Sequence, residues 1–162
     1  MEKCAQVVIG IYRFGNFIYY KVKIPVIRTI LLAFYRGLNL FFVKITFNTE
    51  LPAECKIGKN LIIHHPYGIV VNKGVIMGDN VTLRHQTTIG NKGNGIEGVL
   101  HIGNNVNIGS GSALIGKIKI GDNATIGAHS VVNKDVYKNT TVVGVPAKDI
   151  KKKIIKDVEF LD

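Results

Sequence analysis

From residue 57 onward an aliphatic residue or methionine recurs at every sixth position, with two interruptions, and this period limits the possible folds sharply. Ile57, Ile63 and Ile69 open three six-residue units. A two-residue insertion then resets the count, and Met77, Leu83 and Ile89 open three more. Beyond a longer insertion come Ile102, Ile108, Leu114, Ile120, Ile126 and Val132. Glycine follows seven of these twelve openers, and the fifth position of a unit is usually small or β-branched, as in Val81, Thr87, Val106, Ser112, Ala124 and Ser130. A period of six fits neither an amphipathic helix nor a simple alternating strand. It is the signature of a parallel β-helix, in which each unit makes one short strand and one corner. The opener points into the prism, and the small fifth residue fits the narrow interior. Three units close one triangular coil. Prisms of this hexad kind are left-handed, an exception to the right-handed crossover rule. The coils are expected at 57–76, 77–101, 102–119 and 120 to about 137.

An open coil end would expose unpaired backbone and apolar interior, so it must be covered. Residues 5–47 carry apolar side chains at helical spacing and predict two helices divided near Pro25, while 147–160 predicts a short basic helix. The expected fold class is therefore mainly β: an N-terminal helical segment (1–47), a left-handed parallel β-helix (48–146) and a basic C-terminal tail or helix (147–162). The stretch 24–43 is nearly long enough to span a bilayer, but Arg28 and Arg36 interrupt it. A helix lying on a membrane, or packed on the rest of the protein, is the expectation. The apolar run after Lys3 is broken by Arg13 and lacks a cleavage pattern, so a cytoplasmic location, at the inner face of the membrane, is expected.

The net charge of +10 is spread along the chain without a groove-entering motif. Anionic small molecules and membrane surfaces account for it, and nucleic acid is not an expected partner. Cys4 and Cys55 are far apart and lack metal-ligand spacing, which points to a reducing compartment. Neither has a histidine at a recognisable local spacing that would make it a nucleophile.

The repeat phase places His65 and His85 at the third position of the second unit in successive coils. They should therefore stack at one outer corner, about 4.8 Å apart along the axis. His64 adjoins His65, and His101 ends the long insertion 91–101, so four of the five histidines are expected in one region. Imidazole there can remove a proton from a hydroxyl. A metal site is the alternative, but no acidic or thiolate ligand is placed to complete a tetrahedron, and no metal is expected.

The segment Ile63-His64-His65-Pro66-Tyr67-Gly68-Ile69-Val70-Val71-Asn72 resembles the active-site segment of serine acetyltransferases and their polysaccharide-modifying relatives. The likeness continues through Gly78-Asp79-Asn80-Val81-Thr82, Thr88-Ile89-Gly90-Asn91 and Val143-Gly144-Val145-Pro146-Ala147-Lys148. Arg84-His85, His101-Ile102-Gly103 and the lead-in Tyr12-Arg13 make it most similar to the colanic acid biosynthesis acetyltransferase type. By that resemblance His65 is the catalytic base, assisted by His85, and Glu50 falls where a carboxylate orients the base. His64, His101 and Tyr67 would contact the acceptor. Gly109, Ser110, Ala128, Pro146 and Lys148 would bind acetyl-CoA along a groove between coils. The resemblance also implies a homotrimer with sites between neighbouring prisms. Two departures bear on the acceptor. The aspartate that binds it in serine acetyltransferases is His64 here, and their loop Arg-His pair falls at Gly98-Val99. A serine acceptor needs an anion for its ammonium and a cation for its carboxylate, whereas a sugar hydroxyl needs neither.

The resulting expectation is acetyl transfer from acetyl-CoA to a sugar hydroxyl of an exopolysaccharide or capsule precursor, with a glycolipid as one form of the acceptor. The alternatives are serine O-acetylation in cysteine synthesis, a non-catalytic hexapeptide scaffold, and a zinc-dependent β-helical carbonic anhydrase.

Overall fold

The computed structural model describes residues 3–91 and 99–150. Two helices, α1 (Lys3–Lys21) and α2 (Pro25–Asn39), lead into a π-helical segment, Leu40–Ile45. The chain then winds into a left-handed parallel β-helix with three faces. The first stacks Lys56–Ile57, Ile76–Met77, His101–Ile102 and Lys119–Ile120. The second stacks Ile62–His64, Thr82–Arg84, Asn107–Ile108, Thr125–Ile126 and Thr141–Val143. The third stacks Val70–Val71, Thr88–Gly90, Ala113–Ile115 and Val131–Val132. Neighbouring coils pair in parallel, in register, on every face.

All twelve openers are buried, none more than 7 % exposed, and the six small or β-branched fifth-position residues are fully buried. Buried hydroxyls among them are satisfied: Ser112 Oγ donates to the carbonyls of Gly109 (2.7 Å) and Gly127 (2.9 Å), and Thr87 Oγ1 donates to Arg84 O at 2.7 Å. The corner between the first and second faces is turned by Asn60, Asn80, Asn105, Asn123 and Asn139, all with positive φ. Their amides form an unbroken ladder with steps of 2.9–3.0 Å. Asparagine suits this place twice, because it tolerates the left-handed conformation and carries both a donor and an acceptor.

The structure shifts the repeat phase in one place. Val71, not Ile69, stands opposite Ile89, so the two extra residues fall in the corner between His65 and Val71 rather than after the third unit. Ile69 instead occupies the interior level of the fifth-position residues. The prism also runs past residue 137, since Val136 bridges to Ile120 and Val142 pairs with Ile126. The C-terminal helix expected over 147–160 is not formed in its described part. Lys148–Asp149 is a strand antiparallel to Val142–Val143, because the chain doubles back to satisfy the last edge of the second face. Residues 151–162 lie outside the described residues.

The first coil is covered by α1. Tyr12 Oη donates to Cys55 O at 2.9 Å and accepts from Ile57 N at 3.2 Å. Arg13 donates to the carbonyls of Ile57 (2.6 Å) and Gly58, and Asn16 donates to those of Ala53 and Cys55, each at 2.8 Å. The carbonyls at the open edge thus find partners on one helix. Ala5, Val8 and Tyr12 of α1, with Val43 and Phe47, belong to the same apolar core as the prism interior. A second, smaller core joins Ile18, Tyr35 and Ala53. Tyr35 lies against Gly15 so closely that any side chain there would overlap its ring.

Two stability predictions follow from these packings. Asn105→Ala should cost about 2–4 kcal/mol in urea unfolding, from a left-handed turn that alanine tolerates less well than asparagine plus the lost ladder bonds, while Asn105→Gly should cost only the bonds, about 1 kcal/mol each. Equal losses would show that the turn conformation is not what asparagine serves. Burial pushes Cys55 from 9.0, and Tyr12 and Tyr35 from 10.0, up to about 12. A raised acid pKa means the native state holds protons that the unfolded chain has lost. The contribution is full below about pH 9 and disappears as the pH rises towards 12. The urea midpoint should therefore fall steeply over that window, and less steeply in Tyr12→Phe.

Candidate active site

Continuing the second-face register beyond His64–Arg84 sets His65 over His85 at the corner between the second and third faces. Their rings meet edge-on, with centroids 5.9 Å apart and planes at 73°. His65 sits at φ +56°, which a side chain adopts only at a cost of about 1–2 kcal/mol. The cause is local. In the lower coils the left-handed residue of this corner is Gln86, Gly111 or His129, but the equivalent residue here is Pro66, whose ring fixes φ near −65°. The corner is rebuilt with positive φ at His65 and Gly68, and Tyr67 stands out from it, half exposed.

The chain after the π-helical segment holds this corner in place. Thr49 Oγ1 donates to Pro66 O at 2.8 Å, Gly68 N donates to Phe47 O at 3.1 Å, and the Phe47 and Tyr67 rings meet at 5.6 Å. Glu50 bridges to Val70 on the third face, and its Oε1 lies 2.9 Å from Lys44 Nζ. His64 is exposed beside Arg84, whose Nη1 donates to Asn107 Oδ1 at 2.6 Å. His85 Nδ1 is buried without a hydrogen-bond partner among the described residues. Such an atom is costly unless something polar reaches it.

His101 does not join this group. It begins a strand of the first face, between Ile76 and Lys119, so three histidines gather at the corner rather than four. The reason is phase: a residue just before an opener points outward at the start of a face, whereas third positions lie at the end of one. His101 instead lines a groove of about 820 Å³ with Lys73, Asn91, Val99, Lys117 and Lys119. Most of the insertion, 92–98, lies outside the described residues.

The same corner continues down the prism through Ser110, Ala128 and Gly144, as the ladders Gly111 N to His85 O (3.0 Å), His129 N to Ser110 O (2.8 Å) and Val131 N to Gly144 O (3.0 Å) show. At strand spacing the column from His65 to Gly144 is about 19 Å long. Pro146 and Lys148 follow at its far end, Ala147 N donating to Val131 O at 2.8 Å. Of the residues expected to bind acetyl-CoA, Ser110 and Ala128 share one edge with His65, Gly109 adjoins it, and Lys148 lies beyond its end, paired with Val143 on the second face. The edge is bare by necessity: a Cβ on Gly109 would lie 2.5 Å from Ala128 N, and one on Gly111 would strike the His129 ring. His129, the fifth histidine, stands exposed over Gly111, at a corner position that the repeat phase alone marks.

A cysteine nucleophile is excluded at Cys55, because its buried thiol, raised to about 12, is protonated near neutrality. Among the described residues no three His, Cys, Asp or Glu side chains are gathered as a metal-ligand set.

A left-handed hexad prism with paired histidines at the head of a bare edge defines the class of hexapeptide-repeat transferases, and the comparisons agree. Residues 100–134 match the bacterial transferase hexapeptide model (six repeats). Over 118 residues, 73 % of this chain and 70 % of the relative, the sequence is 42 % identical to a protein of Escherichia coli strain K12 assigned to colanic acid biosynthesis as the acetyltransferase WcaB. Soybean serine acetyltransferase superposes with a TM-score of 0.78 at 30 % identity, over 92 % of this chain and 58 % of that one. The serine acetyltransferase of Brucella abortus strain S19 in complex with coenzyme A gives 0.76 at 30 % identity, over 88 % and 54 %. This chain belongs to the hexapeptide-repeat acyltransferase family. It spans little more than half the length of the solved serine acetyltransferases it matches.

Gly109→Ala should destabilise the protein by about 1–3 kcal/mol in thermal or urea unfolding, since two backbones must part to admit the methyl. Ser110→Ala, one residue on, should leave stability within about 0.5 kcal/mol. Equal effects would mean that the edge is not packed backbone to backbone.

Proposed function

We propose that this protein is an acetyl-CoA-dependent O-acetyltransferase acting on a sugar hydroxyl of an exopolysaccharide or capsule precursor, with His65 as general base. The observation that carries the reading is the single edge on which the His65–His85 pair and the bare column Ser110, Ala128 and Gly144 lie in line. Acetyl-CoA supplies the acetyl thioester. The edge offers it a run of small residues, Ser110, Ala128 and Gly144, along which a long ligand can lie, with Pro146 and Lys148 proposed at the nucleotide end. His65 takes the proton of the acceptor hydroxyl as its oxygen bonds to the acetyl carbon. The carbon–sulfur bond breaks, and the imidazolium returns the proton to the leaving sulfur. No covalent enzyme intermediate is needed. His85, stacked on His65 with Nδ1 buried, holds the base in orientation or contacts the acceptor.

A homotrimer is the proposed assembly, and within one subunit His101 lies on the first face, away from the His65 corner. The proposed reaction is cytoplasmic, at the inner face of the membrane, where acetyl-CoA would be available. The sugar reading rests on His64, which offers no anion to a serine ammonium, and on the colanic acid relative. Serine O-acetylation stays the second reading because the superposed structures are serine acetyltransferases.

A thiol-release assay with acetyl-CoA should show turnover with nucleotide sugars or capsule oligosaccharides and none with L-serine. His65→Ala should lower it by about 10²–10⁴-fold while coenzyme A affinity is kept. Turnover with serine alone would move the protein to cysteine synthesis. Absence of both coenzyme A binding and turnover would leave a scaffold.

A further inference from the structure

We infer that the N-terminal helices dock this protein onto an anionic lipid bilayer as an interfacial, non-spanning element. The continuous helix Pro25–Ile45 has a mean hydropathy of 1.5 and is only 11 % buried. Along one side Val26, Ile30, Phe34, Phe41 and Ile45 are 59–70 % exposed. Phe34 meets Phe14 of α1 edge-on at 6.4 Å, so the apolar surface continues across both helices. Isolated exposed apolar residues are ordinary on soluble proteins, but a joined face of this extent marks an interaction surface.

Charge selects the occupant. Residues 3–49 contain seven Lys or Arg and no Asp or Glu. A second copy seated face to face would bring two such surfaces together and repel itself, whereas an anionic headgroup layer attracts the basic residues other than Arg13, Arg28 and Lys44, which are engaged within the chain. Phenylalanine and tyrosine side chains beside lysine and arginine suit the boundary between headgroups and acyl chains.

Length and composition alone would allow the helix to cross a membrane, but its other side is committed. Tyr35 is buried against Gly15, Val43 lies in the prism core, Arg28 is over the Tyr19 ring at 5.2 Å, and Lys44 pairs with Glu50. Crossing would tear all four contacts; lying flat keeps them. The π-helical turn ends at the corner that carries His65, through the Phe47–Tyr67 contact. Docking therefore brings that corner to the bilayer surface, which suits an acceptor carried on a lipid. This last consequence rests on the acyl-transfer reading, whereas docking itself does not.

The test is sedimentation of the full chain with phosphatidylcholine–phosphatidylglycerol vesicles and with pure phosphatidylcholine vesicles at physiological salt. Strong enrichment on the anionic vesicles, weaker enrichment on the neutral ones and release by alkaline carbonate are expected. The double variant Phe34→Asp, Phe41→Asp should bind at least about tenfold less, with its circular dichroism and coenzyme A binding unchanged. Failure of the wild type to enrich, or equal binding by the variant, would overturn docking. Retention after carbonate would show a spanning helix. A larger assembly formed without vesicles and lost in the variant would show that the face meets a second copy instead. Docking with no sugar-dependent turnover would retain the membrane inference and remove only the proposed acceptor.

Discussion

The structure depends on the parallel hydrogen-bond ladder between coils, which holds only while every coil returns to the same position. A slip of one residue would turn the inward openers outward along a whole face. Two stacks prevent it: the aliphatic column inside the prism and the asparagine ladder at one corner. The first drives burial without choosing a register finely. The second supplies directional bonds and the left-handed turns that only a few residues accept.

The candidate site arises where that regularity is broken. Two extra residues between His65 and Val71, with a proline where the turn needs positive φ, force His65 into a left-handed conformation and lift Tyr67 outward. Directly below, the regular coils resume and leave an edge of small residues. One corner therefore offers both an irregular head, where a base can be aimed, and a smooth groove where a long ligand can lie. Phe47, Thr49 and Glu50 support the head from the preceding segment, so the helices and the site are mechanically joined.

The helices serve two surfaces at once. Their inner side closes the prism, donating Tyr12, Arg13 and Asn16 to carbonyls that would otherwise end in apolar surroundings. Their outer side carries Val26, Ile30, Phe34, Phe41 and Ile45, which stay exposed among the described residues.

The sequence by itself determined the prism, because a six-residue period of aliphatic openers has one compact solution, and it determined the His65–His85 stack, because coil phase converts directly into corner position. Ser110 and Ala128 are marked by family resemblance, and the stacked coils set both at that corner. Tertiary structure alone decided the rest. Ile69 and Val71 are both aliphatic, so only strand pairing showed which faces Ile89 and hence where the insertion lies. His101 ends the long insertion, which suggests a place beside His65, but the prism carries it to another face. The tail beyond Ala147 has helical composition, yet Lys148–Asp149 pairs as a strand because the last edge of the second face needs a partner. Local pattern fixes which way a side chain points; which surfaces then meet is settled only when the coils are stacked.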